Sequence, residues 1–143
     1  MNSPFRRGVV SVSRGAVASE RCTHMTDLVA VLVATIAAFV AGGAYYAVFG
    51  DQLEGDRDMP PAKLAVELGR CLILAAVVVG LASEIGVDDA GGGLLLGAVL
   101  WVGFPFVLWA GAMLHERTPF KIAAIHAGDW LVKLPLISVL AIV

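Results

Sequence analysis

Two stretches of the chain carry no charged residue: residues 28–49, 22 positions long, and residues 90–114, 25 positions long. A membrane-crossing helix needs about 20 apolar residues at a rise of about 1.5 Å each, so each stretch predicts one span. Residues 64–85 are a third apolar run, broken only by Glu67, Arg70 and Glu84, and Pro60 and Pro61 ahead of it suit a helix start. Residues 120–143 are a fourth, and they contain His126, Asp129 and Lys133. Were this helix to begin after Lys133, ten residues would remain, about 15 Å of helix, or half the hydrocarbon thickness. The pattern therefore predicts an all-α integral membrane protein, a four-helix transmembrane bundle. A C-terminal helix lying flat in the headgroup region is the competing arrangement.

Residues 1–27 differ, with Arg6, Arg7, Arg14 and Arg21, several serines and no long apolar run. They read as a disordered basic tail ahead of a domain at 28–143. Met25 stands directly before the first span, so translation from Met25, with 24 residues of extension before it, is the favoured start. The choice matters for orientation, because positive loops stay in the cytoplasm. The first loop and its edge hold Arg57 and Lys63, the second loop has no Lys or Arg, and the third has Arg117 and Lys121. A start at Met25 places the first and third loops in the cytoplasm and both termini outside; with the tail present its four arginines balance the loops.

Composition agrees with the pattern: 59% hydrophobic and 15% charged residues, against about a quarter charged in soluble domains. Mean hydropathy is +0.85. A net charge of −2 offers no basic face for nucleic acid. Cys22 lies in the polar tail and Cys71 in an apolar run, and neither has metal-type spacing.

The stretches "AGGAYYAVFG" (residues 41–50) and "GGGLLLGAVLWVGFPFVLWAGAMLHERTPFKIAAIHAG" (residues 91–128) carry a resemblance to a known family. The chain resembles a bacterial four-helix membrane family, domain of unknown function 1761, in its Gly, aromatic pair and Phe-Gly near the first helix. Its apolar third helix, acidic-Arg-x-Pro turn and Ala-Gly in the fourth helix are similar too. The resemblance implies four spans in a bacterial cytoplasmic membrane and no established activity. Two features depart from the family pattern: His126 and Asp129 stand where an asparagine and then a tyrosine are more usual, and the second helix is unusually charged at Glu67 and Arg70.

His126, Asp129 and Lys133 fall within an arc of about 60° on a helix, since steps of three, four and seven return to one face. Each charge at such depth costs about 2.5–3.5 kcal/mol on insertion scales, so the row should face the bundle interior, a partner or water. Asp129 and Lys133 are also i, i+4 neighbours in the favourable acid-first order. Two readings stand side by side. One is a relay or binding site for a proton, ion or small polar solute, with His126 titrating near neutral pH. The other is a self-neutralised pair that fixes helix register or an oligomer. Glu67 and Arg70 form a second charged stripe, shallower because Arg70 is about 9 Å into its helix from Leu64. Snorkelling to headgroups is the plain reading of that stripe. The sharper one joins Glu67 and Arg70 to Asp129 and Lys133, against a mismatch of depth that helix tilt would reduce.

Gly42, Gly43, Gly93, Gly97 and Gly103 are the predicted packing positions, with a Gly-x-x-x-Gly step from Gly93 to Gly97. Pro105 and Pro135 each free a carbonyl within a span and predict kinks. Tyr45 and Tyr46 fit an aromatic belt at the membrane surface. No Gly-x-Ser-x-Gly, His-Glu-x-x-His or phosphate-cradling loop is present, so no catalytic residues, metal or cofactor are expected. The expected partners are the lipid bilayer and either further copies of the chain or another membrane protein. The leading functional expectation is a small transporter or channel-like subunit; the alternative is a non-catalytic assembly or regulatory partner of a larger membrane complex.

Overall fold

A computed structural model of the chain describes residues 9–52 and 60–142, with side chains over 27–51 and 60–142. Arg6, Arg7, Arg57 and the side chains of Arg14 and Arg21, all of which weigh on orientation, lie outside the described residues.

Helix α1 runs Val9–Phe49 and ends in a 3-10 turn, Gly50–Gln52. Helix α2 is Pro61–Ile85, α3 is Ala90–Trp101, α4 is Val107–His115 and α5 is Phe120–Leu140. A single π-helical turn, Val102–Phe106, joins α3 to α4 into one continuous span. The four lengths able to cross a bilayer are Asp27–Phe49, Pro61–Ile85, Ala90–His115 and Phe120–Leu140. The protein is a multi-pass, all-α membrane protein with a four-helix bundle. Within the stretch 1–27 read as a tail, helix α1 extends back to Val9, and residues 1–8 lie outside the described residues. An established helix propagates cheaply, and no proline after Pro4 stops it before the span.

Helix ends follow local chemistry. Pro61 takes the first helical position behind an extended Pro60, so α2 starts three residues before the predicted 64. It stops at Gly86, where φ is +71°, a backbone conformation that costs glycine nothing. The amides of Gly86 and Val87 donate to the carbonyls of Ser83 and Ala82 at 3.2 and 2.9 Å. After this tight turn, the Asp89 carboxylate accepts from the Gly92 amide at 2.9 Å and opens α3. The expected disturbance at Pro105 takes the form of the π turn: proline has no N–H for the Trp101 carbonyl, and a locally widened helix absorbs the loss. Pro135 leaves α5 helical from end to end.

Packing depends on small residues, because lipid is as apolar as leucine and gives helices no hydrophobic reason to associate. Ala30, Ala34 and Ala38 on α1 are buried at four-residue spacing, and Gly42 continues the stripe. They meet Cys71, Ala75, Val78 and Val79 of α2 and Leu134 and Ile137 of α5 in one core. The buried Thr35 hydroxyl donates to the Val31 carbonyl at 2.6 Å and so needs no outside partner. Helix α2 packs chiefly on α1, α3 packs on α5, and α5 touches every other span. Outward faces carry large exposed apolar residues such as Ile36, Ile73, Leu95 and Phe104, which suit acyl chains.

Candidate functional site: a buried ion-pair chain between three helices

Helix α5 is the least apolar span, with a mean hydropathy of 1.4 against 2.0 to 2.2 for the others, and it is the most enclosed. Charges cannot face acyl chains cheaply, so the helix that carries them takes the central place. Lys133 Nζ donates to Asp129 Oδ2 at 2.8 Å, one turn back on the same helix, and to Glu67 Oε1 on α2 at 2.9 Å. The side chains of Asp129 and Lys133 are 5% and 6% exposed, and that of Glu67 is 28% exposed. Arg70 Nη1 donates to Glu67 Oε2 at 2.9 Å from a side chain that is 60% exposed. The result is an alternating row, Arg70, Glu67, Lys133, Asp129, running from the edge of α2 into the bundle. Its formal charges cancel. Arg70 reaches Glu67 and not Asp129, so the four residues form a chain and not a closed cluster.

Helix α1 roofs this row with a glycine. A Cβ at Gly42 would stand 2.7 Å from Lys133 Nζ and 3.3 Å from Asp129 Oδ1. The lysine stem therefore lies across Gly42, and only a residue without a side chain leaves it that path. Asp129 Oδ1 is buried and has no hydrogen-bond partner. Cys71, one turn after Glu67, sets its thiol 3.9 Å from Glu67 Oε1, a long and weak contact.

His126 belongs to an adjoining aromatic layer. Its Nδ1 and the Tyr46 hydroxyl share a hydrogen bond of 2.8 Å, the donor being set by the imidazole tautomer. The ring of Trp109 stacks on the imidazole, with centroids 4.8 Å apart and planes within 8°. Tyr45 brings its hydroxyl against Gly128, leaving no room for a Cβ there. Trp101 Nε1 donates to the Ala127 carbonyl at 2.7 Å, whereas the buried Trp109 Nε1 has no partner. Tyr45 and Tyr46, expected in an aromatic belt at the membrane surface, are half-buried, and their hydroxyls meet Gly128 and His126 of α5. The physical reason is that His126 offers Tyr46 a partner for its O–H, and Gly128 leaves space for the ring of Tyr45.

The glycines divide. Gly93 lies against the Ser138 carbonyl, 2.8 Å from where its Cβ would be, and Gly97 lies against the backbone of Pro135 and Leu134. The Gly-x-x-x-Gly step thus joins α3 to α5 within one chain. Gly43 and Gly103 are exposed, with nothing within 4 Å of an added Cβ, and take no part in packing within the chain. Trp109, Gly128 and Cys71 are site residues that sequence reasoning misses. A signal exists for the roof over the lysine: the four-residue rhythm of Ala30, Ala34, Ala38 and Gly42 marks one close-packed face. Among the described residues, no group of three His, Cys, Asp or Glu side chains is placed to hold a metal ion.

Residues 29–142 match a family model described as a protein of unknown function (DUF1761). No curated protein and no solved structure matches the chain.

Proposed function

The chain belongs to the DUF1761 family, and we propose that it acts as a small transporter or channel-like subunit moving an ion, a proton or a small polar solute past an interior ionisable site on α5. The observation that supports this reading is Lys133, 6% exposed in mid-span and held between carboxylates from two helices. A purely structural charge pair is expensive at that depth, and replacing buried pairs by apolar residues is often neutral or stabilising. Its presence is therefore better explained by use than by stability. His126, with Tyr46 and Trp109, provides a neighbouring group that can change protonation. In this reading the protein is not an enzyme, works in the bacterial cytoplasmic membrane, and assembles with further copies of itself, since four spans enclose little volume for a path. The test is flux into liposomes under imposed ion and proton gradients, for the wild type and Asp129→Asn. Flux that falls in the variant supports the reading; no flux under any gradient, or equal flux in both, refutes it.

A second reading is that of a non-catalytic assembly or regulatory partner in a larger membrane complex. Gly43 and Gly103 favour it, as small residues on outer faces where another helix has room to approach. Crosslinking in native membranes separates the two: a second protein captured repeatedly at those faces supports it, and recovery of this chain alone counts against it.

A further inference from the structure

The geometry points to a cation site formed by Asp129 and Glu67, in which Lys133 is the tethered occupant and a small monovalent cation of the ammonium type is the exchangeable one. The inference deepens the transport reading and rests on it only for the statement that the cation moves. Two carboxylates from different helices converge on one ammonium, at 2.8 and 2.9 Å. An i, i+4 pair that merely neutralised itself would need Asp129 and Lys133 alone. Glu67 adds a second anion to the interior, while the cation that balances it, Arg70, stands at the 60% exposed edge. With the lysine arm withdrawn, Asp129 would have no cation beside it, and Glu67 would keep only Arg70 at the edge.

A further acceptor stands beside them. Asp129 Oδ1 is buried without a hydrogen-bond partner, on a side chain 5% exposed, and lies 3.3 Å from where a Cβ at Gly42 would stand, beside the lysine tip. Two carboxylate oxygens thus hold the ammonium, Asp129 Oδ2 and Glu67 Oε1, and the second oxygen of Asp129 is left unused beside them. These acceptors suit a cation with N–H groups to give. They fall short of the six to eight oxygens that calcium takes. Lysine and an external cation compete for the same oxygens, so entry of one requires the other to leave Asp129.

Truncation and refilling test the site. Lys133→Ala removes the atoms from Cγ to Nζ, which amount to n-propylammonium. In nanodiscs, n-propylammonium chloride should raise the Tm of Lys133→Ala by about 2–5 °C over equal concentrations of sodium chloride and of 1-propanol. The wild type, already filled, should not respond, and Lys133→Ala/Asp129→Asn should lose the effect. Equal responses to n-propylammonium and 1-propanol, or an equal shift in the wild type, would overturn the proposal. If Lys133→Ala does not survive purification, its cell-free synthesis into vesicles tests the same point. Folded yield should rise with the amine and not with the alcohol, and no difference between them counts against the site. These readouts use no gradient. Rescue without flux would leave a cation site in a protein that does not transport, and flux without rescue would leave a transporter with another cargo.

Discussion

Neighbouring glycines on α1 should respond to the same substitution with opposite signs. At Gly43 a methyl group enters open space, so Gly43→Ala should gain the usual helix preference of alanine, about 0.5–1 kcal/mol. At Gly42 the methyl meets the tip of Lys133, with Nζ 2.7 Å away. The tip of a lysine is flexible and yields before the backbone does. Its displacement breaks one or both of the bonds to Asp129 and Glu67, each worth about 1.5–3 kcal/mol as a hydrogen bond to a charged group. Set against a propensity gain of about 1 kcal/mol, Gly42→Ala should lose about 0.5–2 kcal/mol where one bond breaks and about 2–5 kcal/mol where both do. Unfolding in mixed micelles of rising dodecyl sulfate content, followed by the fluorescence of Trp101, Trp109 and Trp130, measures both variants. A Lys133→Ala background supplies the decisive control, since without the lysine tip the Gly42→Ala penalty should vanish. Equal stability of Gly42→Ala and Gly43→Ala, or a penalty that persists without the lysine, would refute the placement of Lys133 under Gly42.

The same contacts set three further outcomes. Lys133→Met should cost about 3–5 kcal/mol by stranding the buried Asp129 charge, Asp129→Asn should cost less because Glu67 keeps Lys133, and Asp129→Leu/Lys133→Met should recover most of the loss in the same titration. Arg70→Ala should cost no more than about 1 kcal/mol, because its partner Glu67 keeps Lys133 and the guanidinium is mostly in the open; a loss as large as that of Lys133→Met would show that Arg70 is part of the buried system. Gly97→Ala should cost about 2–3 kcal/mol or more, since its Cβ would strike the backbone of Pro135, which cannot yield, whereas Gly103→Ala should be neutral or stabilising; loss of α3–α5 cysteine crosslinks in Gly97→Ala alone is the measurement.

The four spans are legible in the sequence because a bilayer imposes a length, and runs such as 28–49 and 90–114 meet it without a charge. The inward turn of Asp129 and Lys133 is legible for a related reason: a helical period of 3.6 puts them on one face, and lipid refuses that face. Other features depend on facts that periodicity does not carry. A helix starting at Leu64 makes Glu67 look shallow; the start at Pro61 places it about 4.5 Å further along, and the lysine stem spans the rest. Tyr46 reads as a surface aromatic because a tyrosine near a helix end looks the same whether it faces headgroups or His126, 80 positions away. Gly43 and Gly103 differ from Gly42 and Gly97 only in direction, and direction follows from which helix lies opposite. The charges of α5 call for an enclosed place, but no local pattern says which helices enclose it.

That central place of α5 has a consequence for how the protein is made. Synthesis delivers α5 to the membrane after the other three spans, and Asp129 and Lys133 together would cost about 5–7 kcal/mol if they met acyl chains unaccompanied. The pair escapes that cost only where Glu67 and Gly42 face it, so α5 depends on helices made before it for a place to put its charges. The least apolar segment is thus also the one that the other three enclose most.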